Sequence, residues 1–365
     1  MCKTKKITRI DTVGSFLRPE RLKKARTAYN DNRISKQELV EIENEEIKKI
    51  VEKQKEIGLE IVTDGEFRQR YWHLDFFWGF EGVDHHIIEN GVIFNIKDSA
   101  RLSGKIRFKH DHPYLESFKY LKAIAGDDVV ARQSIPAPAQ LYKELTRSDK
   151  AHIKNYYADE NELLNDLSKA YHDFILAIYN LGCRDLKLDD CTWGMLCDTN
   201  NQKNTVEEKN KLQHIFLQVN NEALKNLPDD LLISTHVCRG NCKSNWGASG
   251  GYEPVAENLF SKENVEKYYL EFDNERSGGF EPLRFISDNK QVVLGLITSK
   301  NPTLEDKAHI ISRIKEASQF ISLDRLSLSP QCGFASTEEG NILTEEDQWK
   351  KIKLIKEIAS EVWVD

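Results

Sequence analysis

Short apolar runs alternate with longer amphipathic stretches from one end of the chain to the other. The runs predict extended segments at residues 10–15, 60–63, 129–134, 185–188, 231–235, 268–270, 292–297 and 325–329. Between them lie helical patterns with one apolar stripe. Leu163, Leu167, Tyr171, Phe174, Ile178 and Leu181 recur at helical spacing and stop at Gly182. Leu39, Ile47, Ile50, Val51 and Ile57 likewise precede Gly58, Leu212, Ile215, Phe216, Val219 and Leu224 precede Pro228, and Ile310, Ile314, Ala317 and Ile321 precede the last strand.

Strand and helix in alternation imply parallel pairing through right-handed crossovers. Eight such units predict an α/β fold closed as a (β/α)8 TIM barrel, with an open doubly wound sheet as the alternative. Two stretches exceed the minimal repeat. Residues 67–128 form an insertion after strand two, rich in aromatics and histidines, and residues 241–254 form a long polar, Gly-rich loop after strand five. Both are placed at the C-terminal mouth as covers or substrate walls, with a surface hairpin as the plainer reading of the first. No repeat, low-complexity tract or linker divides the chain, so residues 1–365 are read as one domain.

Composition narrows the function class. Hydrophobic residues at 39% and charged residues at 30% describe a globular chain with a substantial core. A net charge of −7 argues against non-specific nucleic-acid binding and leaves small molecules as the expected partners, with homo-oligomerisation open. The start, MCKTKKITRIDTVGSF, has no apolar signal core, and no run is long enough to span a bilayer, so a cytoplasmic protein without membrane contact is expected. The seven cysteines, Cys2, Cys183, Cys191, Cys197, Cys238, Cys242 and Cys332, are odd in number and scattered, which suits reduced thiols. Cys183, Cys191 and Cys197 are read as small buried hydrophobes.

The chemistry gathers at strand ends. His236-x-Cys238, Glu271 and Cys332 each follow an apolar run, and two thiolates, an imidazole and a carboxylate suit Zn2+. Paired C-x-x-C or H-x-x-x-H units are absent, so a fold must collect these ligands. Asp273 and Glu275 follow Glu271 closely as rival carboxylates. Strand one ends in Gly14-Ser15-Phe16, strand two in Asp64-Gly65-Glu66 and strand four in Asp189-Asp190. Carboxylates can hold an ammonium, and a serine hydroxyl with backbone N–H groups can hold a carboxylate, so these are candidate amino-acid-binding groups. Each taken alone is more readily an ordinary turn, loop or helix cap.

Together these stretches resemble the C-terminal catalytic domain of the cobalamin-independent methionine synthase family, in its short single-barrel form. The shared features include Asp64-Gly65-Glu66-Phe67-Arg68 and Leu294-Gly295-Leu296-Ile297-Thr298-Ser299-Lys300. The resemblance implies a zinc-dependent methyltransferase that moves a methyl group from 5-methyltetrahydrofolate, as its polyglutamate, to homocysteine and yields methionine. It implies that His236, Cys238, Glu271 and Cys332 hold the zinc and that Ser15, Glu66 and Asp189 hold the amino-acid end of homocysteine.

Two departures concern the donor. The long enzymes carry Asp-Ile-His after strand seven, whose histidine protonates the departing folate; Leu296-Ile297-Thr298 stands here, so Thr298 replaces that acid. Ile135-Pro136-Ala137-Pro138-Ala139 departs from the family's folate-pocket pattern. No catalytic acid is therefore assigned. His73, His85 and His86 are read first as solvated surface histidines, with proton donation the alternative, and His110-Asp111-His112 as an exposed turn. A zinc-dependent thiol methyltransferase with a corrinoid or methylated-sulfur donor is the second reading, and a structural zinc protein the third.

Overall fold

The computed structural model describes residues 7–88, 96–148, 150–200 and 204–364; Cys2 lies outside them. Among the described residues there are nine strands: β1 Ile61–Val62, β2 Glu81–Ile87, β3 Asp98–Arg107, β4 Val130–Pro136, β5 Asp185–Asp190, β6 Leu232–Val237, β7 Lys267–Glu271, β8 Gln291–Ile297 and β9 Leu326–Pro330. Seven of them form one sheet in the order β1-β4-β5-β6-β7-β8-β9, every neighbouring pair parallel. β2 and β3 pair separately as an antiparallel hairpin.

The first predicted strand, residues 10–15, is corrected by the structure to a single parallel bridge between Ile10 and Leu328 of β9. Asp11 N–H donates to Leu328 O at 3.1 Å on that side, and Phe16 N–H donates to Gly65 O at 3.1 Å beyond the end of β1. The segment thus spans the two edges of the curled sheet. It cannot extend as a regular strand because Gly14 has φ +136°, a conformation that side chains rarely adopt. A Cβ there would meet Ser134 Oγ at 3.1 Å, with Lys187 Nζ and Glu66 Oε1 just beyond.

Alternation within the strands separates two environments. Leu186, Leu188, Ile233, Leu270, Leu294 and Leu328 belong to the main apolar core packed under the helices. The intervening residues point inward and are largely polar. Arg132 is wholly buried, donating from Nε to Asp185 at 2.7 Å and from Nη1 to Asp11 at 2.7 Å, while Tyr269 OH donates to Asp11 at 2.5 Å. Lys267 lies 4.0 Å from Asp11. Above this ionic layer sit Val13, Tyr269 and Val293, and above them the strand ends that carry the site.

The predicted insertion contains the β2–β3 hairpin, and the helix Pro113–Ala125 returns the chain to β4. Its aromatic residues anchor it: Phe76 packs edge-on against Phe80, Tyr114 and Phe174 at centroid separations of 5.2, 5.1 and 4.9 Å. His112, read from the sequence as part of an exposed turn, is instead buried between Phe76 and Phe174, and its Nδ1 accepts from Tyr114 N–H as the helix cap. Among the described residues, no helix is long and apolar enough to cross a membrane.

Candidate metal and substrate site

His236 is the penultimate residue of β6 and points inward; Cys238 follows that strand, Glu271 ends β7, and Cys332 lies two residues past β9. One ligand atom from each of the four lies within 4.8 Å of all the others, and all four residues are buried. The two sulfurs are 3.8 Å apart. Two thiolates on one tetrahedral zinc, each with a bond of about 2.3 Å, would stand about 3.8 Å apart. Neither ring nitrogen of His236 has a hydrogen-bond partner among the described residues, an expensive state for a buried imidazole unless something else fills it. The set therefore fits a metal ion on both spacing and donor chemistry.

Of the three acidic residues the sequence offered, Glu271 is the one in this group. Its Oε1 accepts from Arg239 N–H at 2.7 Å, and its Oε2 accepts from Arg276 at 2.8 Å and Gln331 at 3.2 Å. Such contacts fix a carboxylate's orientation. Burial disfavours its charge, but Arg276, His236 and Lys300 outweigh burial and hold its pKa below the usual range. Asp273 instead pairs with Arg276 at 3.0 Å, and burial together with the nearby Glu271 charge pushes it up to about 6. Contact with Cys238, then burial, drives the Cys332 thiol well above its usual pKa. Burial opposes protonation of His236, yet its Cys332 neighbour and the charges of Asp189 and Glu271 raise its pKa.

A cavity of about 110 Å3 opens beside this group, and Ser15, Glu66 and Asp189 all line it. Ser15 is pressed against the loop after Cys332: Phe334 N–H donates to Ser15 O at 3.0 Å, and a side chain on Gly333 would collide with Ser15 Oγ. Glu66 has φ +60°, forced by the turn in which its own N–H donates to Asp64 at 2.8 Å. Burial, then repulsion from Asp189, pushes the Glu66 carboxyl up to about 8 against the pull of Arg18 and Lys187. Lys187 lies one inward position below Asp189, with Nζ 3.0 Å from its carboxylate and no solvent exposure. Asp64 and Asp190 do not line this cavity; Asp190 accepts from Thr192 N–H at 2.8 Å and from Asn220 at 3.2 Å.

The other wall comes from the insertion and the first helix after β4. Trp72, His73, Ile96 and Asp98 face Gln140, Glu144 and Arg147. Cys242 and Gly247 place the loop after β6 at the same mouth. His73, expected on the surface, is partly covered here; burial, aided by Arg147, pushes it down to about 3, so its ring is neutral. His85 is exposed and paired with Asp98 at 2.6 Å, and neither it nor His86 lines the cavity. Thr298 N–H donates to Glu305 at 2.8 Å, and the residue is absent from the cavity wall. Cys183 and Cys197 are buried as expected. Cys191 departs from that expectation: it forms part of the cavity wall beside Cys238, and this thiol neighbour is the largest influence on its pKa.

Sequence reasoning missed Lys187, Arg276 and Gln331. The alternation Asp185-Leu186-Lys187-Leu188-Asp189 was a usable signal for the first, since an inward face carrying three charges needs internal partners. No local pattern marks the other two.

Comparison with known proteins agrees with this architecture. Residues 8–77 match the family described as the catalytic domain of cobalamin-independent synthase. The uncharacterized protein YxjH of Bacillus subtilis is 45% identical, with 97% of this chain and 94% of that protein covered. A methionine synthase of Pyrococcus horikoshii is 22% identical over 88% of this chain and 84% of its own length. Among solved structures, a Listeria monocytogenes protein given as a candidate vitamin-B12-independent methionine synthase superposes with TM-score 0.80 and 39% identity, covering 98% of both chains. A B12-independent methionine synthase of Shewanella sp. W3-18-1, solved with selenomethionine, shares the fold at TM-score 0.74 and 18% identity, with 97% of each chain covered.

Proposed function

Since the chain belongs to the cobalamin-independent methionine synthase family and is a methyltransferase, we propose that it methylates the thiol of homocysteine to give methionine, using a zinc ion held by His236, Cys238, Glu271 and Cys332. The observation that carries this reading is the convergence of those four donors beside one cavity that Ser15, Glu66 and Asp189 also line. Zinc bound there supplies the Lewis acidity that keeps a substrate thiol ionised at neutral pH.

The protein's own groups account for the rest. Ionised, Cys238, Cys332 and Glu271 carry three negative charges, which weakens the electrophilic pull on a substrate sulfur and preserves its nucleophilicity; Arg276 moderates that charge through Glu271. Glu66 and Asp189 receive the substrate ammonium, and Ser15 its carboxylate. Once Glu66 and Asp189 are both ionised, Lys187 reduces the pair to a net charge of −1, matched to one ammonium. Raising the thiolate fraction from a few per cent gains about thirtyfold, or about 2 kcal/mol, so most of the acceleration falls to orientation, worth about 7–11 kcal/mol.

We propose 5-methyltetrahydrofolate as the donor, by family. A corrinoid or methylated-sulfur donor is the second reading, favoured by one feature: Thr298 holds Glu305 and does not line the cavity, so the family's leaving-group acid has no counterpart at that position. Zinc content, with methionine formation from homocysteine assayed against methyltetrahydrofolate, methylcobalamin and S-methylmethionine, tests both. Absence of zinc, or of methionine from all three donors, rejects the proposal.

A further inference from the structure

The stretch Leu294-Gly295-Leu296-Ile297-Thr298-Ser299-Lys300 stands where the long enzymes carry their acid, and the proposed reaction gives it no task. Yet Ser299 and Lys300 are 0% and 4% exposed. We infer that Ser299 and Lys300 are positioning residues that fasten the three strand ends bearing Cys238, Glu271 and Cys332 into one metal-holding unit. The inference rests on the metal reading above and adds the residues that keep the ion in place.

Lys300 works on the segment after Cys238. Its ammonium donates to Asn241 Oδ1 at 2.7 Å, to Asn245 O at 3.2 Å and to Gly240 O at 3.4 Å, gathering a loop that has no regular structure of its own. Asn241 passes the restraint onward, because its Nδ2 donates to Gly333 O, next to Cys332, at 2.7 Å. Ser299 works on the other two ligands. Its N–H donates to Gln331 Oε1 at 2.9 Å, and its hydroxyl lies 2.7 Å from the same oxygen and 3.0 Å from Gly333 O. Gln331 Nε2 then donates to Glu271 Oε2 at 3.2 Å. Asn341 closes the circuit by donating to Asn241 Oδ1 at 3.0 Å and to Ser299 O at 2.8 Å.

Energetics favour a role tied to the ion over plain loop packing. A buried ammonium costs several kcal/mol unless negative charge offsets it. The acceptors of Lys300 are neutral amide and carbonyl oxygens and the Trp246 ring lies 5.6 Å from its ammonium; the negative charges that act on it are those of Glu271 and Asp273. The donor set, net negative around a divalent ion, supplies such a charge.

The test uses the full-length protein loaded with zinc. Lys300→Met and Ser299→Ala are compared with wild type in the rate at which zinc passes to a chromophoric chelator and in the melting temperatures of the loaded and stripped forms. The expected result is zinc release faster by about tenfold or more, the usual consequence of losing an outer-shell partner, with the loaded form losing melting temperature and the stripped form keeping it. Lys300→Arg, which keeps the charge, should recover part of the retention. Release at the wild-type rate in both Met and Ala variants overturns the inference, as does an equal loss of melting temperature in loaded and stripped forms. If Lys300→Met does not fold, Ser299→Ala decides alone. A wild-type protein that takes up no zinc defeats the metal reading itself, a separate outcome from either.

Discussion

If homocysteine binds as proposed, with its ammonium at Glu66, its affinity depends on pH in a direction set by the environment of that carboxyl. The Glu66 carboxyl is pushed up to about 8 by burial and by Asp189. At neutral pH only about one molecule in ten carries the ionised form that can receive an ammonium, a penalty of about 1.4 kcal/mol on binding. KM for homocysteine should therefore fall about tenfold per pH unit up to about pH 8 and then level off, while kcat at saturating homocysteine changes little. Glu66→Gln imitates the protonated carboxyl at every pH; it should bind homocysteine weakly and lose this slope. Initial rates at saturating donor, with bound metal quantified at each pH, measure both enzymes. A wild-type KM that stays flat between about pH 6 and pH 8, or a Glu66→Gln enzyme that keeps the slope, refutes the reasoning. Stability supplies an independent sign. The folded value lies above the ordinary 4.5, so the native state holds the extra proton between these limits. Substrate-free wild type should lose stability as pH climbs from about 4.5 to 8 relative to Glu66→Gln, which lacks that titration.

Two further outcomes bear on the site and the fold. Cys238→Ser and Cys332→Ser should each lose zinc and methyl transfer together; stoichiometric zinc in both purified variants would count decisively against the four-residue donor set. Arg132→Met leaves Asp11 and Asp185 facing each other without their shared cation, so chemical denaturation should show a loss of about 3–5 kcal/mol. A change below about 1 kcal/mol would mean that this layer contributes little.

The parallel strands were legible because helices cover their outward faces, and Leu186, Leu188, Leu294 and Leu328 mark those faces with apolar runs. The first strand was overestimated for a related reason. Ile10-Asp11-Thr12-Val13 has the composition of a strand, but Gly14 turns the chain and its pairing partners are two distant edges, which no local pattern encodes. Strand ends, once located, gave one wall of the cavity, since Ser15, Glu66, Asp189, His236, Cys238 and Cys332 all follow or close an extended run. Glu271 was preferred to Asp273 through the family resemblance and not through any local pattern, because Arg276 reaches both and only Gln331 and Arg239, from other strand ends, separate them. The histidines of the insertion misled in the opposite sense: His112 is sheltered by Phe76 and Phe174 from remote positions, and His73 by its near neighbours Trp72 and Phe77 once the short helix folds.

The hairpin of β2 and β3 enters and leaves the molecule between β1 and the helix that leads to β4, so it contributes no rung to the main sheet. Val83, Ala100, Leu102 and Ile106 tie it to the main core, while Asp98 at its return strand lines the cavity. Exchanging the hairpin would therefore recut one wall of the cavity without breaking a rung of the parallel sheet.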